Sequence, residues 1–316
     1  MHYYFAPLEG LTDSVYRRLH HRFFPGIHRY YMPFLSPTIH RCLTKKEDRE
    51  LPLADSQDFT AVPQVLTRDP EAFLWAAQVY ADRGYAEVNW NIGCPSGTVV
   101  AKGKGAGMLA RPEELDRTLD RIFSQTPLPI SVKTRVGVDS EEEWPALLEI
   151  LDRYPIKELI VHPRVRKDFY ATPIRREAFR YSSDHTRLPL CYNGDLCCLE
   201  DIRRVRDQYP QLRSVMIGRG LIADPGMLSP GGTDREVLAA FHNALLEEYI
   251  PLFGGSRNAM FRLKENWHYL QYRFDGGEKL FKRLRKTTDI DEYRSLTAQI
   301  FQTLPLLPQT DPKWLK

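Results

Sequence analysis

The chain has 316 residues, 42% of them hydrophobic and 27% charged, a balance that excludes a disordered or collagen-like polymer. Forty-four Lys and Arg against 41 Asp and Glu leave a formal charge of +3, which excludes a uniformly basic nucleic-acid binder. No run approaches 18 consecutive apolar residues, the N-terminus has no signal-peptide pattern, and the five cysteines form no CxxC pair, so no membrane span and no disulfide framework are expected, and a reducing cytoplasm is.

Short apolar runs alternate with amphipathic stretches through most of the chain. The runs fall at 3–8, 28–34, 61–66, 87–93, 129–135, 157–163, 189–194 and 214–220, with helical patterns at 12–23, 70–84, 112–126, 141–154 and 198–209 between them. Asp69-Pro70-Glu71 and Arg111-Pro112-Glu113-Glu114 put Pro at the first helical position and acids in the first turn. Leu115, Leu119, Ile122 and Phe123 recur at helical spacing and predict a core-facing stripe. The stretch 41–58 reads as loop, and the helix after the sixth run is weakly marked. Eight strand–helix units at this length predict a parallel (β/α)8 TIM barrel, with a doubly wound sheet as the alternative. After Gly220 the strand signal stops. Helical periodicity at 233–249, 257–272, 278–286 and 290–304, behind a linker containing Pro225, Pro230, Gly231 and Gly232, predicts a small C-terminal helical domain. The expected division is a barrel over 1–232 and a helical domain over 233–316.

The charge is not evenly spread. Residues 255–316 carry a net +5, and the first 254 residues carry a net −2. Nine Lys and Arg lie between 255 and 286, interleaved with Phe261, Trp267, Tyr269, Tyr272, Phe274 and Phe281. The pattern suits either a solvated helical face or a polyanionic partner.

In a parallel barrel, functional groups collect at the C-terminal ends of the strands. The run ends here are polar: Glu9, Gln64, Asn89 and Asn91, Lys133 and Arg135, His162 and Arg164, Asn193-Gly194-Asp195, and Gly218-Arg219-Gly220. The last two, at the seventh and eighth strands, leave backbone N–H groups bare beside the Arg219 cation, which suits a phosphate. Lys133 sits mid-strand and needs an anion, either an acid such as Asp195 or Glu9 or a cofactor that becomes anionic. His162, one strand on, is placed to add a hydrogen bond. Cys94, between Gly93 and Pro95 and above a Gly/Lys stretch read as a mobile loop, is the candidate reagent. Cys191, Cys197 and Cys198 read as structural, and no metal site is expected.

These residues carry a family resemblance. Ala6-Pro7-Leu8-Glu9-Gly10-Leu11-Thr12-Asp13, Asn91-Ile92-Gly93-Cys94-Pro95, Val132-Lys133-Thr134-Arg135, Val161-His162-Pro163-Arg164, Asn193-Gly194-Asp195 and Met216-Ile217-Gly218-Arg219-Gly220, followed by Arg262-Leu263-Lys264-Glu265-Asn266-Trp267-His268-Tyr269, resemble the tRNA-dihydrouridine synthases in order and spacing. The resemblance implies an FMN barrel with a tRNA-binding helical domain, in which NADPH reduces the flavin and the flavin reduces the uracil 5,6 double bond. It implies Cys94 as the general acid. Pro7, Leu8, Gln64, Lys133 and His162 would hold the flavin ring, and Asn193, Asp195, Gly218 and Arg219 its phosphate. Asn91, Arg164, Lys264 and Arg283 would contact substrate. A bulky tRNA substrate makes a monomer the expectation. The chain departs from the family pattern at Asn89, at Pro163, near Asp168, and at Met32-Pro33-Phe34. A different FMN barrel oxidoreductase acting on a small molecule is the competing reading.

Overall fold

The computed structural model describes residues 1–312; the last four residues of the expected helical domain lie outside the described residues. Nine strands form one sheet: β1 (His2–Phe5), β2 (Arg29–Tyr31), β3 (Ala61–Val62), β4 (Gln64–Val65), β5 (Val88–Ile92), β6 (Ile130–Arg135), β7 (Leu159–His162), β8 (Leu190–Asn193) and β9 (Ser214–Ile217). Their order is β3-β2-β1-β9-β8-β7-β6-β5-β4. The pairings from β1 to β3 and from β4 to β9 are parallel. The two ends of that order, β3 and β4, are one predicted strand interrupted by Pro63. Pro has no N–H to give a ladder, yet its carbonyl still accepts from Asn89 N at 2.9 Å. Ala61 and Val62 pair with β2 and Gln64 and Val65 pair with β5, so the eight predicted strands close into the expected TIM barrel.

By proximity the chain falls into two compact units. The first comprises Met1–Glu9, His28–Gly194 and Val205–Met216, and the second Gly10–Ile27, Asp195–Arg204 and Ile217–Lys316. In the first unit, Tyr4, Ala6, Tyr31, Val62, Ile160, Cys191 and Met216 form a buried cluster contributed by the strands. Asp69 caps the helix Pro70–Asp82, accepting from Glu71 N at 3.0 Å. The helix Pro112–Gln125 buries Leu115, Leu119 and Ile122 as its spacing predicts. Two weakly written segments do fold. Residues 41–58 contain the helix Lys45–Glu50, opened by a Thr44/Glu47 capping box, and the helix Arg176–His185 follows β7.

In the second unit, the helices Ser14–Phe23, Arg235–Leu252, Ser256–Leu270, Glu278–Lys286 and Ile290–Thr303 bury an aromatic core. Phe241 meets Tyr16 edge-on at 5.4 Å and Phe24 at 5.1 Å, while Trp267 lies 5.5 Å from Phe301 and 6.1 Å from Phe281. Trp267, Phe274 and Phe281 are buried and Phe261 is exposed, so half of the six aromatics interleaved with the basic run build the unit's interior. No helix among the described residues is long and apolar enough to cross a membrane.

Candidate active site

Register places Gln64, Asn89 and Ser131 side by side on β4, β5 and β6. Period-2 alternation then points their side chains to one face. They form a single directed chain of hydrogen bonds. Asn91 Nδ2 donates to Gln64 Oε1 at 2.8 Å, Gln64 Nε2 to Asn89 Oδ1 at 2.7 Å, Asn89 Nδ2 to Ser131 Oγ at 2.9 Å, and Ser131 Oγ to Glu87 Oε1 at 2.6 Å. Glu87 closes the chain as a buried carboxylate, its other oxygen paired with Arg29 at 3.1 Å and Lys157 at 2.7 Å. The charge on Glu87 sets the direction of every amide above it.

The upper end of that chain fixes Cys94. Asn91 Oδ1 accepts from the backbone N–H of Gly93 at 3.1 Å and of Cys94 at 3.0 Å. The stretch after Cys94, expected as a mobile loop, is folded. Ala106 N donates to Cys94 O at 3.0 Å, and Ala106, Met108 and Leu109 are buried. Gly105, at φ +56°, makes this possible, since a Cβ there would lie 2.8 Å from Cys94 O and 3.0 Å from Cys94 Cβ. The thiol is free and half-buried.

Lys133 pairs in register with Asn91 across the β5–β6 ladder. Its side chain is half-buried and makes no hydrogen bond or ion pair with the described residues of its unit. Burial, and then the Arg135 guanidinium, push its ammonium down to about 8, while Cys94 and Cys191 act in the opposite sense. A buried cation is stabilised by an anion set beside it. On the next strand Arg135 aligns with His162. His162 Nε2 faces Arg164 Nη1 at 3.1 Å, and Arg164 Nε donates to Thr172 O at 2.7 Å. Arg164 is itself buried, so it holds the His162 ring and the following loop. Arg135 donates to the carbonyls of Val165 at 2.8 Å and Phe169 at 2.7 Å. Asp168 receives both Arg175 Nε at 2.8 Å and Nη2 at 3.0 Å, plus Val165 N at 2.9 Å. Burial opposes its ionisation, but the Arg175 and Val165 hydrogen bonds prevail and hold its carboxyl below the usual range. The result is a braced loop presenting Phe169 and Tyr170 to solvent.

Of the remaining expected cofactor residues in the first unit, Pro7 and Leu8 follow β1 half-buried, and Asn193 ends β8 with Nδ2 on Met216 O at 2.8 Å. In the second unit Arg219 Nη2 pairs with Asp195 Oδ1 at 3.0 Å, with Gly218 immediately before it. A Cβ on Gly220 would lie 2.1 Å from Leu196 O, so only glycine permits this approach of the 195–197 and 218–220 segments. Among the described residues no cluster of three or more His, Cys, Asp or Glu is arranged to hold a metal.

The basic face of the second unit is built on the helix Glu278–Lys286. Phe281 and Leu284 turn inward, while Lys279, Lys282, Arg283 and Lys286 line a cleft of about 460 Å³ with Thr287 and Glu292. Arg283 pairs with Glu292 at 2.9 Å and remains exposed. Lys264 donates to the carbonyls of Thr287 and Arg285 and so caps the end of that helix.

The sequence model of the dihydrouridine synthase (Dus) family matches residues 4–289. The chain belongs to the dihydrouridine synthase family. It is an enzyme, of the oxidoreductase class. It is 26% identical over 223 residues to tRNA-dihydrouridine synthase B of Pasteurella multocida, covering 70% of this chain and 66% of that one. To the tRNA-dihydrouridine(16) synthase of Neisseria meningitidis it is 25% identical over 312 residues, 93% of each protein. To that of Ralstonia nicotianae it is 30% identical over 227 residues, covering 70% and 69%. Among solved structures, a variant of NCR from Zymomonas mobilis aligns with TM-score 0.50 at 13% identity over 70% of this chain and 83% of that one. A morphinone reductase variant in complex with tetrahydroNAD aligns with TM-score 0.51 at 11% identity over 72% and 85%. Those two share the fold.

In this family member the barrel brings Gln64, Asn91, Cys94, Lys133 and His162 onto neighbouring strand ends. Sequence alone leaves the roles of Glu87, Ser131, Arg135 and Arg175 unread. The available signal was alternation, since Asn89 and Asn91 on one strand and Ser131, Lys133 and Arg135 on the next are spaced two apart. Their joining into one network depends on register, which no single strand displays.

Proposed function

We propose that this chain reduces uridines in tRNA to dihydrouridine, holding FMN in the barrel and drawing reducing equivalents from NADPH. The residues present fit a flavin. Lys133 offers a cation with no ion pair among the described residues of its unit, Gln64 keeps one amide N–H beyond the one given to Asn89, and His162 is oriented by Arg164, a donor set suited to the electron-rich carbonyl edge of an isoalloxazine. Pro7 and Leu8 supply apolar edges for the ring. In the second unit, Gly218 and Arg219, with Asp195 balancing the arginine, are read as phosphate-binding, as is Asn193 in the first. When bound, a reduced flavin supplies hydride.

The chain's own residues do the rest. Asn91 holds the Cys94 turn so that the thiol can deliver a proton to C5 of the uracil, and Lys133 stabilises negative charge beside it. Cys94, a free thiol whose backbone is pinned one strand from an unpaired lysine, is the observation that carries this reading. A buried uracil must be turned out of its stack, and the basic face around Lys282, Arg283 and Lys286, with Lys264 ordering its helix, suits the backbone of a folded RNA. Reconstitution tests the cofactor. The purified protein is expected to bind FMN and turn yellow, and the bound flavin to bleach with NADPH; a protein that stays colourless with FMN contradicts the proposal.

A further inference from the structure

A second concentration of positive charge lies in the first unit, beside Cys94. Arg68 follows β4, Lys102 and Lys104 belong to the folded stretch after Cys94, and Arg111 precedes the helix Pro112–Gln125. They converge around Gly103, where a Cβ would lie 3.1 Å from Arg68 Nη1 and 3.5 Å from Arg111 Nη1. Gly103 sits at φ +68°, and its N–H donates to Val100 O at 2.8 Å, so the turn that gathers these cations is fixed by backbone bonds. Arg68 and Lys102 are exposed and have no ion-pair partner among the described residues. Among the described residues Arg111 pairs only with the half-buried Glu114, at 3.0 Å, and Asp69 is occupied in capping its helix. Lys104 backs the group from below, half-buried, with Nζ on Ser36 Oγ at 3.0 Å. Burial, then Lys102 and Arg68, lower its pKa, with Asp69 acting in the opposite sense, so the like charges lie close to it. Four cations gathered by a glycine turn, with few acids to quench them, form a site for phosphate.

We propose that Arg68, Lys102, Lys104 and Arg111 grip the RNA phosphates on either side of the target uridine. This rests on the tRNA reading above and adds where the strand lies. A nucleotide turned out of a helix keeps both its phosphates, so cations on the same folded stretch as the proton-donating thiol fix that backbone relative to Cys94. Contacts of this kind set register without reading sequence. The phosphates of a nicotinamide dinucleotide are the competing occupant, and the test separates the two.

The experiment compares wild type with Arg68→Ser/Lys102→Ser and with Arg111→Ser, each loaded with FMN, by tRNA binding over a salt series and by the KM for tRNA and for NADPH. The double variant is expected to bind tRNA about tenfold or more weakly and to flatten the slope of log K against log salt by roughly one to two, about 0.7–0.9 for each phosphate that is no longer neutralised. Its KM for tRNA should rise. Flavin absorbance of each variant verifies that the barrel has folded. Unchanged tRNA affinity and slope, or a raised KM for NADPH in their place, overturns the proposal. If wild type itself forms no dihydrouridine, the tRNA reading has failed; if wild type forms it and the variants bind tRNA like wild type, the phosphate grip alone has failed.

Discussion

Lys133 is the residue on which flavin binding should depend most visibly. Its ammonium is held down to about 8 because burial and Arg135 oppose the charge. The lysine is therefore charged below that value and progressively neutral above it. Affinity of the flavin-free protein for FMN should fall as pH rises through 8, measured by quenching of flavin fluorescence. Lys133→Met should bind more weakly and remove that dependence; a pH-independent affinity in wild type contradicts the assignment. Asn91 acts through backbone, since its oxygen accepts from the N–H groups of both Gly93 and Cys94. Asn91→Ala leaves those donors without it and breaks the chain to Gln64, a loss of about 1–3 kcal/mol. A lower melting temperature and a lower kcat, with the yellow colour kept, are the expected results. Cys94 and Lys133 were legible as candidates in the sequence because polar groups mid-strand or between Gly and Pro demand a reason. The departures at Asn89 and Asp168 were visible too, but not their consequence. Asn89 bridges Gln64 and Ser131, and Asp168 clamps Arg175, and both facts need coordinates.

At the scale of elements, alternation and capping made the strands and helices readable. What escaped was local: the split of one strand at Pro63, and the capping-box helix Lys45–Glu50, too short for periodicity to reveal. In the tail, the spacing of aromatics among cations did not show which of them turn inward, and Trp267 and Phe281 are core. Two buried histidines give these helices a pH signature. His20, on Pro225 O at 3.0 Å, and His242, against Tyr293 Oη at 2.9 Å, are pushed by burial down to about 3 and about 4. The unfolded chain takes up these protons near pH 6.5 and the fold does not. Their stabilisation is thus complete above about 6.5 and is lost as pH falls toward 4, by up to about 3 kcal/mol each. Helical circular dichroism against temperature at pH 7, 6, 5 and 4 should show that loss. His242→Gln should flatten the dependence, and a melting temperature unchanged from pH 7 to 5 contradicts it. Lys264→Met should likewise lower stability by about 1 kcal/mol by uncapping the helix Glu278–Lys286.

For the whole molecule, the formal charge of +3 conceals an uneven spread, with a net −2 over the first 254 residues and a net +5 over the tail from 255. Reversal of Lys282, Arg283 and Lys286 to Glu should weaken tRNA binding and flatten its salt dependence while leaving bound flavin in place. Retained tRNA affinity after that triple change would remove the role assigned to this face. The central claim is the reduction itself. Purified protein loaded with FMN, given NADPH and unmodified tRNA, should convert uridine to dihydrouridine, detected as a mass gain of two hydrogens in a defined tRNA fragment. Cys94→Ala, equally yellow and equally reducible, should leave the fragment unchanged. A flavin-loaded wild type that produces no dihydrouridine in any tRNA, or a Cys94→Ala protein that produces it at the wild-type rate, would contradict the account.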